Sequence, residues 1–150
     1  MQYFEDIQVG NVKESTDSYE LKAEEIVDFC KKWDPLPFHI DERAAEQTPV
    51  GKLFTSAVHT IAIAIRLSHQ LNTEPTATAM GLGWDKVRFQ TPACAGDQLR
   101  VRGEVIEARV SESNPSLGVV RSLLSVINQR GETVISFKAA ALIRRRPEQA

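Results

Sequence analysis

Cysteine is scarce in this chain: two residues, Cys30 and Cys94, in a sequence of 150. Each stands alone, with no second cysteine at metal-ligand or redox-motif spacing. A disulfide scaffold and a cysteine-based metal cluster are therefore excluded, and a reduced, cytoplasmic compartment is expected. Charge of one sign is also lacking, since 18 Lys and Arg stand against 20 Asp and Glu for a formal net charge of −2. That balance excludes a strongly basic nucleic-acid binder. Long apolar runs are missing as well. The longest, Ala57 to Leu67, is interrupted by His59, Thr60 and Arg66 and falls short of the roughly 18 residues of a membrane span, so no membrane is expected among the partners. The stretch Met1 to Gly10 contains Glu5 and Asp6 but no basic residue, and no export signal is expected there.

What is present reads as an ordinary globular sequence. Hydrophobic residues make up 42% and charged ones 25%, far from the composition of disordered chains. A chain of this length buries roughly two-thirds of its unfolded surface, enough for a core without disulfides or a structural metal. No internal repeat, low-complexity tract or linker divides it, so residues 1–150 are expected to form a single domain.

Periodicity places the elements. One short strand is expected near Tyr19 to Leu21. From Ala23, the positions Ile26, Val27, Phe29, Cys30 and Trp33 recur at helical spacing. Glu24 and Glu25 open that helix and Lys31 and Lys32 close it, the charge order a helix dipole favours. Pro35 and Pro37 stop it, which predicts a stiff loop over 34–40. Asp41 is a plausible N-cap for a short helix Glu42 to Gln47. Phe54 to Leu71 is apolar around nearly its whole circumference, the mark of a buried helix.

The remainder supplies strands at Ala77–Leu82, Trp84–Phe89, Gln98–Ala108, Leu117–Asn128 and Thr133–Ile143. Period-two alternation is clearest in Leu99, Val101, Gly103 and Val105, and in Ile135, Phe137, Ala139 and Ala141. Gln129-Arg130-Gly131-Glu132 reads as a hairpin connection. A sheet curled around the apolar helix is the economical way to bury it, so the class is α+β. Arg144 to Ala150 is expected to be a frayed, solvated end.

The segment Asp34-Pro-Leu-Pro-Phe-His39 is the most informative. A five-residue separation on a helix would set the two side chains about 140° apart, but two prolines bend the chain and limit its freedom before folding. Such a loop can aim an acid and an imidazole at one water molecule, one group taking a proton and the other giving one. The same residues also fit an Asp capping a turn beside a satisfied surface His, and the spacing does not decide between the two.

Asp34-Pro-Leu-Pro-Phe-His39-Ile-Asp41, followed by Ala44-Ala45 and Gly51-Lys-Leu-Phe-Thr-Ser-Ala-Val-His59-Thr60, resembles the hydratase motif of the MaoC-like dehydratases, a family that includes the (R)-specific enoyl-CoA hydratases. Gly81-Leu-Gly-Trp-Asp-Lys-Val-Arg-Phe, Pro92 to Asp97 and Asn128-Gln-Arg-Gly131 extend the resemblance over about residues 20–145. It implies a hot-dog fold, a curved antiparallel sheet wrapped around one long helix. It also implies reversible syn hydration of a trans-2-enoyl thioester to the (R)-3-hydroxyacyl thioester. Asp34 and His39 match the family's water-binding pair. Ser56 and the backbone amide of Ala57 match the start of the central helix, where an amide N–H meets the charge that develops on the thioester oxygen. Two positions depart from the pattern: Ala57 stands where Gly is common, and Leu36 where Asn or Gln is usual.

The implied substrate is carried by coenzyme A or an acyl-carrier protein, in the manner of fatty acid metabolism, and no cofactor is expected. A homodimer or higher homo-oligomer is expected because an open sheet leaves edges to cover. Two other functions share the fold: a non-catalytic acyl-thioester-binding subunit, and a thioesterase, which the absence of Asp and Glu from Phe54–Leu71 disfavours. No metal site is expected, because His59 and His69 lie ten residues apart on one helix and out of phase. Both read as packing or surface residues, and Cys30 as structural. Gly81-x-Gly83 reads as a bend or bulge. Arg100, Arg102, Lys138 and Arg144 to Arg146 read as solvated strand faces and a basic tail, with coenzyme A phosphates as the alternative contact.

Overall fold

In the computed structural model, which describes residues 1–147, six strands form one antiparallel sheet. The elements run β1 (Val12–Glu14), β2 (Tyr19–Glu20), α1 (Ala23–Trp33), α2 (Pro37–Ile40), α3 (Glu42–Glu46), α4 (Ala57–Ser68), β3 (Thr78–Phe89), β4 (Gln98–Val110), β5 (Leu117–Ile127) and β6 (Thr133–Arg144). Sheet order is β1-β4-β5-β6-β3, with β2 also pairing β4. Two of the three central strands, β4 and β6, are the ones whose alternation was clearest. The inward residues of all three, Leu99, Val101, Leu124, Val126, Ile135 and Phe137, are buried and meet α4. The fold class expected above is the one observed: a curved sheet around one central helix.

Helix α4 begins three residues later than its apolar pattern suggests. Phe54 pairs with Cys94 in an isolated bridge, and Thr55 N–H donates to the Ala93 carbonyl at 2.8 Å, so both residues are extended rather than helical. Ser56 then caps the helix, its Oγ accepting from Val58 N–H. One face of α4 is buried through Thr60, Ile63, Ala64 and Leu67. The opposite side is open, with Val58 57% exposed and Ala62 exposed beside it. An all-round apolar helix was expected to be enclosed; the sheet of one chain encloses only one side.

Two expected strands prove to be one. Thr78–Phe89 runs continuously along β6, and register shifts at Gly81/Gly83 and Asp85/Arg88 absorb the irregularity that read as a break. Lys86 takes φ 51 within the second shift, the left-handed backbone a bulge demands. This strand is a sheet edge, and Met80, Leu82, Trp84 and Phe89 on it are exposed. Gly131 (φ 76) closes the β5–β6 hairpin where expected.

The C-terminal arginines are not frayed. Arg145 Nε donates to Glu5 Oε1 at 2.9 Å, and the Arg146 guanidinium meets both Asp6 carboxylate oxygens at 2.7 and 2.8 Å. Arg145 and Arg146 thus clasp the N-terminal turn Phe4–Asp6; Glu148 to Ala150 of the expected tail lie outside the described residues. On the strands, Arg102 sits 3.7 Å from Glu104, and Arg100 donates to the Ser15 carbonyl. Among the described residues, no helix is long and apolar enough to cross a membrane.

Candidate active site

Asp34 closes α1. Its N–H still donates to the Cys30 carbonyl at 2.9 Å, but φ −157 turns the chain out of the helix, and Leu36 N–H donates back to the Asp34 carbonyl at 2.8 Å. Pro37 opens the one-turn helix α2 at its first position, where a missing N–H costs nothing. The stiff loop expected over 34–40 therefore contains a helical turn. That turn carries His39 back over Asp34, placing His39 Nε2 3.7 Å from Asp34 Oδ2. Leu36 shapes this bend through its backbone, since its carbonyl also accepts from His39 N–H. Its side chain is 45% exposed.

The His39 ring is fixed on three sides. Nδ1 lies 2.8 Å from the Phe54 carbonyl, and the edges of Phe38 and Phe54 hold the ring at centroid distances of 4.6 and 4.9 Å. A carbonyl only accepts, so Nδ1 carries the proton and neutral His39 presents a bare Nε2 to Asp34. Two acceptors at 3.7 Å do not bond one another. They can each accept one O–H of a single water molecule. The imidazole is 5% exposed overall, while the Asp34 side chain keeps 32%, which leaves the pair a solvent-facing mouth.

Next to this pair, Ser56 Oγ occupies the Val58 amide at 3.3 Å. Among the described residues the Ala57 amide donates to no other group. It is an N-terminal helix donor with the positive end of the dipole behind it. The structure thus brings Asp34 and His39 together and sets Ser56 and Ala57 on the adjoining helix start.

A second polar cluster backs the same segment. His59 is 3% exposed; its Nδ1 lies 2.6 Å from Thr55 Oγ1 and its Nε2 3.2 Å from Glu25 Oε1. Tyr19 donates its hydroxyl to the same carboxylate oxygen, Phe29 stacks on the imidazole at 4.3 Å, and Cys30 Sγ lies 3.6 Å from Thr55 Oγ1. Because Glu25 accepts, His59 is protonated on Nε2 and takes the Thr55 O–H on Nδ1. Sequence reasoning put His59 down as a packing residue and missed Phe54, Thr55, Glu25 and Tyr19. Glu25 lies 34 residues before His59, a separation that hides the cluster in sequence; only the Thr55–His59 spacing of four hints at it.

Burial pushes the His59 pKa below its ordinary value, against the opposing pull of Glu25. Burial, reinforced by Glu25, pushes the Tyr19 hydroxyl up to about 12. The His59 shift has a sign for stability. The unfolded state takes up this proton near pH 6.5 and the folded state only at lower pH, so stability is complete above about 6.5 and declines as pH falls below it. Thermal unfolding between pH 7 and 5 is expected to show a steeper loss of Tm in the wild type than in His59→Gln. Equal slopes would contradict the assignment.

A separate cavity lies away from the Asp34–His39 pair. With a volume of about 650 Å³, it opens at the C-terminal end of α4, lined by Ile65, Leu71, Trp84, Val105 and Leu124 among others, and neither Asp34 nor His39 borders it. Lys13, His69, Glu74 and Glu104 also line that cavity; the acid–imidazole pair that converges on one point is Asp34 and His39.

Comparison with known proteins identifies the family. The MaoC-like domain model matches residues 6–126. The crystal structure of the MaoC-like dehydratase from Rhodospirillum rubrum superposes with a TM-score of 0.90 at 33% identity, covering 98% of this chain and 99% of that one. The unliganded (R)-hydratase PhaJ1 from Pseudomonas aeruginosa shares the fold, with a TM-score of 0.76 at 22% identity over 99% of this chain and 91% of that one. Mesaconyl-CoA hydratase from Haloarcula hispanica is 37% identical over 70 residues, which is 46% of this chain and 20% of that protein. With a family match across most of its length and a bent acid–imidazole loop against the start of its central helix, the chain belongs to the MaoC-like domain family, alongside dehydratases and hydratases.

Proposed function

We propose that the protein catalyses reversible syn hydration of a trans-2-enoyl thioester to the (R)-3-hydroxyacyl thioester, with Asp34 and His39 as the catalytic pair. The observation that carries this reading is the 3.7 Å gap between Asp34 Oδ2 and His39 Nε2, with His39 locked by the Phe54 carbonyl. A water seated in that gap has both O–H bonds engaged and a lone pair free to attack C3. One of the two groups takes a proton from the water as the C3–O bond forms, and a proton is delivered from the pair to C2 on the same face. Electron density moves meanwhile from the double bond toward the thioester oxygen, which accepts the Ala57 N–H. A prepositioned donor for such a charge is worth about 10²–10³ in rate. In the reverse direction the same groups expel water from the 3-hydroxyacyl thioester.

A coenzyme A thioester is favoured as substrate by the local match to a mesaconyl-CoA hydratase. The test is to follow loss of the conjugated enoyl thioester absorbance over a panel of trans-2-enoyl-CoA chain lengths and to assign the product configuration. Formation of the (R)-alcohol supports the reading. Acyl-CoA binding without turnover would turn it into an acyl-binding subunit, an outcome consistent with Leu36 in place of a polar residue, and release of free thiol would make it a thioesterase.

The working unit we propose is a homodimer joined along β3, in a reducing cytoplasmic setting that suits two unpaired buried cysteines. An exposed edge strand bearing Met80, Leu82, Trp84 and Phe89 is a surface that invites association. Light scattering is expected to give twice the chain mass for the wild type and the single-chain mass for Met80→Lys/Leu82→Lys. A wild-type monomer at all concentrations would contradict it.

A further inference from the structure

Three consecutive residues, Phe54, Thr55 and Ser56, connect everything the proposed reaction needs. The Phe54 carbonyl orients His39, and Ser56 caps the helix whose first amide, Ala57 N–H, faces the substrate oxygen. Thr55 lies between them, 5% exposed, and its peptide N–H is tied to the Ala93 carbonyl at 2.8 Å. The peptide plane joining Phe54 to Thr55 therefore carries both that tie and the carbonyl that holds the imidazole. Its remaining freedom is rotation about the N–H···O axis and sliding along the chain.

The Thr55 side chain removes that freedom. Its hydroxyl donates to His59 Nδ1 at 2.6 Å, and His59 is fixed in turn by Glu25 at 3.2 Å and by stacking on Phe29. Glu25 is held by the Tyr19 hydroxyl from β2. A chain of donors thus runs in one direction, Thr55 to His59 to Glu25, with Tyr19 converging on the same carboxylate, and every member has a partner. Fully satisfied buried networks of this kind hold one geometry, and a partly satisfied one does not. His59 has no route to the substrate that the site uses: its ring nitrogens are both occupied.

We infer that His59, with Glu25 and Tyr19 behind it and Thr55 in front, is a positioning residue that sets the Phe54–Ser56 segment and through it the orientation of His39 and the Ala57 amide. This rests on the hydratase reading for its kinetic consequence, while its structural consequence is independent of any activity. The two histidines are assigned opposite tautomers, Nδ1–H for His39 and Nε2–H for His59, and that contrast is what the network maintains.

The test uses the full chain labelled with nitrogen-15 in histidine. Two-bond proton–nitrogen spectra of the wild type are expected to show His39 as the pure Nδ1–H tautomer and His59 as the pure Nε2–H tautomer. Thr55→Val, which keeps the side-chain shape and the fold, is expected to turn His39 into a tautomer mixture and to lower kcat about 10- to 100-fold with KM within about twofold. Thr55→Ser, which keeps the hydroxyl, is expected to restore both, a rescue that a packing role alone would not produce. His59→Gln is expected to behave like Thr55→Val. A His39 that stays in its wild-type tautomer in a folded Thr55→Val protein overturns the inference, as does a serine variant impaired as much as the valine one. If the wild type turns over no enoyl thioester, the tautomer result still decides the positioning role, and only the hydratase reading fails.

Discussion

Asp34→Asn and His39→Gln are each expected to lower kcat for enoyl thioester hydration by about 10²–10⁴, the range a positioned general acid or base contributes. Both variants should remain folded. Asp34 has its side chain partly in solvent, and among the described residues no group donates a hydrogen bond to its carboxylate, so an amide of the same shape leaves the α1 terminus unchanged. Gln at position 39 keeps most of the volume between Phe38 and Phe54. The double variant is expected to lose little more than either single one, because one water bridges both groups and neither works on it alone; residues acting as a unit are strongly non-additive. Independent, multiplying losses would mean that the two groups do not share a water. Steady-state kinetics on the three variants, with circular dichroism to verify folding, distinguish these outcomes.

Ala57→Pro is expected to lower kcat by about 10²–10³ while leaving Tm nearly unchanged. Proline fits the first position of a helix, where its fixed φ matches and its absent N–H breaks no intrahelical bond. The preceding residue, Ser56, already has φ −62 and ψ 146, the extended geometry a following proline requires. The substitution therefore deletes one N–H and little else. If that amide meets the thioester oxygen only as charge develops on it, kcat falls and KM moves little. Unchanged turnover in a folded Ala57→Pro protein would place the oxyanion donor elsewhere. Ala57→Gly, the residue common in the family, retains the N–H and serves as the control expected to stay near wild-type rate.

These two experiments address what the sequence made legible and what it did not. Period-two alternation in β4 and β6 and the apolar α4 located the sheet and its helix because both patterns are local consequences of burial on one face. Asp34 and His39 were singled out by the resemblance of their segment to a known motif, since the two prolines and the spacing alone fit a turn-capping Asp beside a surface His equally well. The continuity of β3 was hidden because Gly81 and Gly83 signal a break as readily as a bulge, and only pairing with β6 decides. The clasp of Arg145 and Arg146 on Glu5 and Asp6 joins the two ends of the chain, a contact no local pattern encodes. The polar partners of His59 were hidden on the same ground. An apolar-face histidine reads as packing until the fold brings Glu25 from α1 to its Nε2 and Thr55 to its Nδ1.

The central claim, that a water held between Asp34 and His39 adds to the double bond from one face, is tested most directly by hydrating crotonyl-CoA in deuterium oxide and assigning the product by NMR. The account predicts an (R)-3-hydroxybutyryl product carrying deuterium at C2 on the same face as the new C3–O bond. Addition across opposite faces, an (S)-alcohol, or release of free coenzyme A in place of a hydroxyacyl thioester would contradict it.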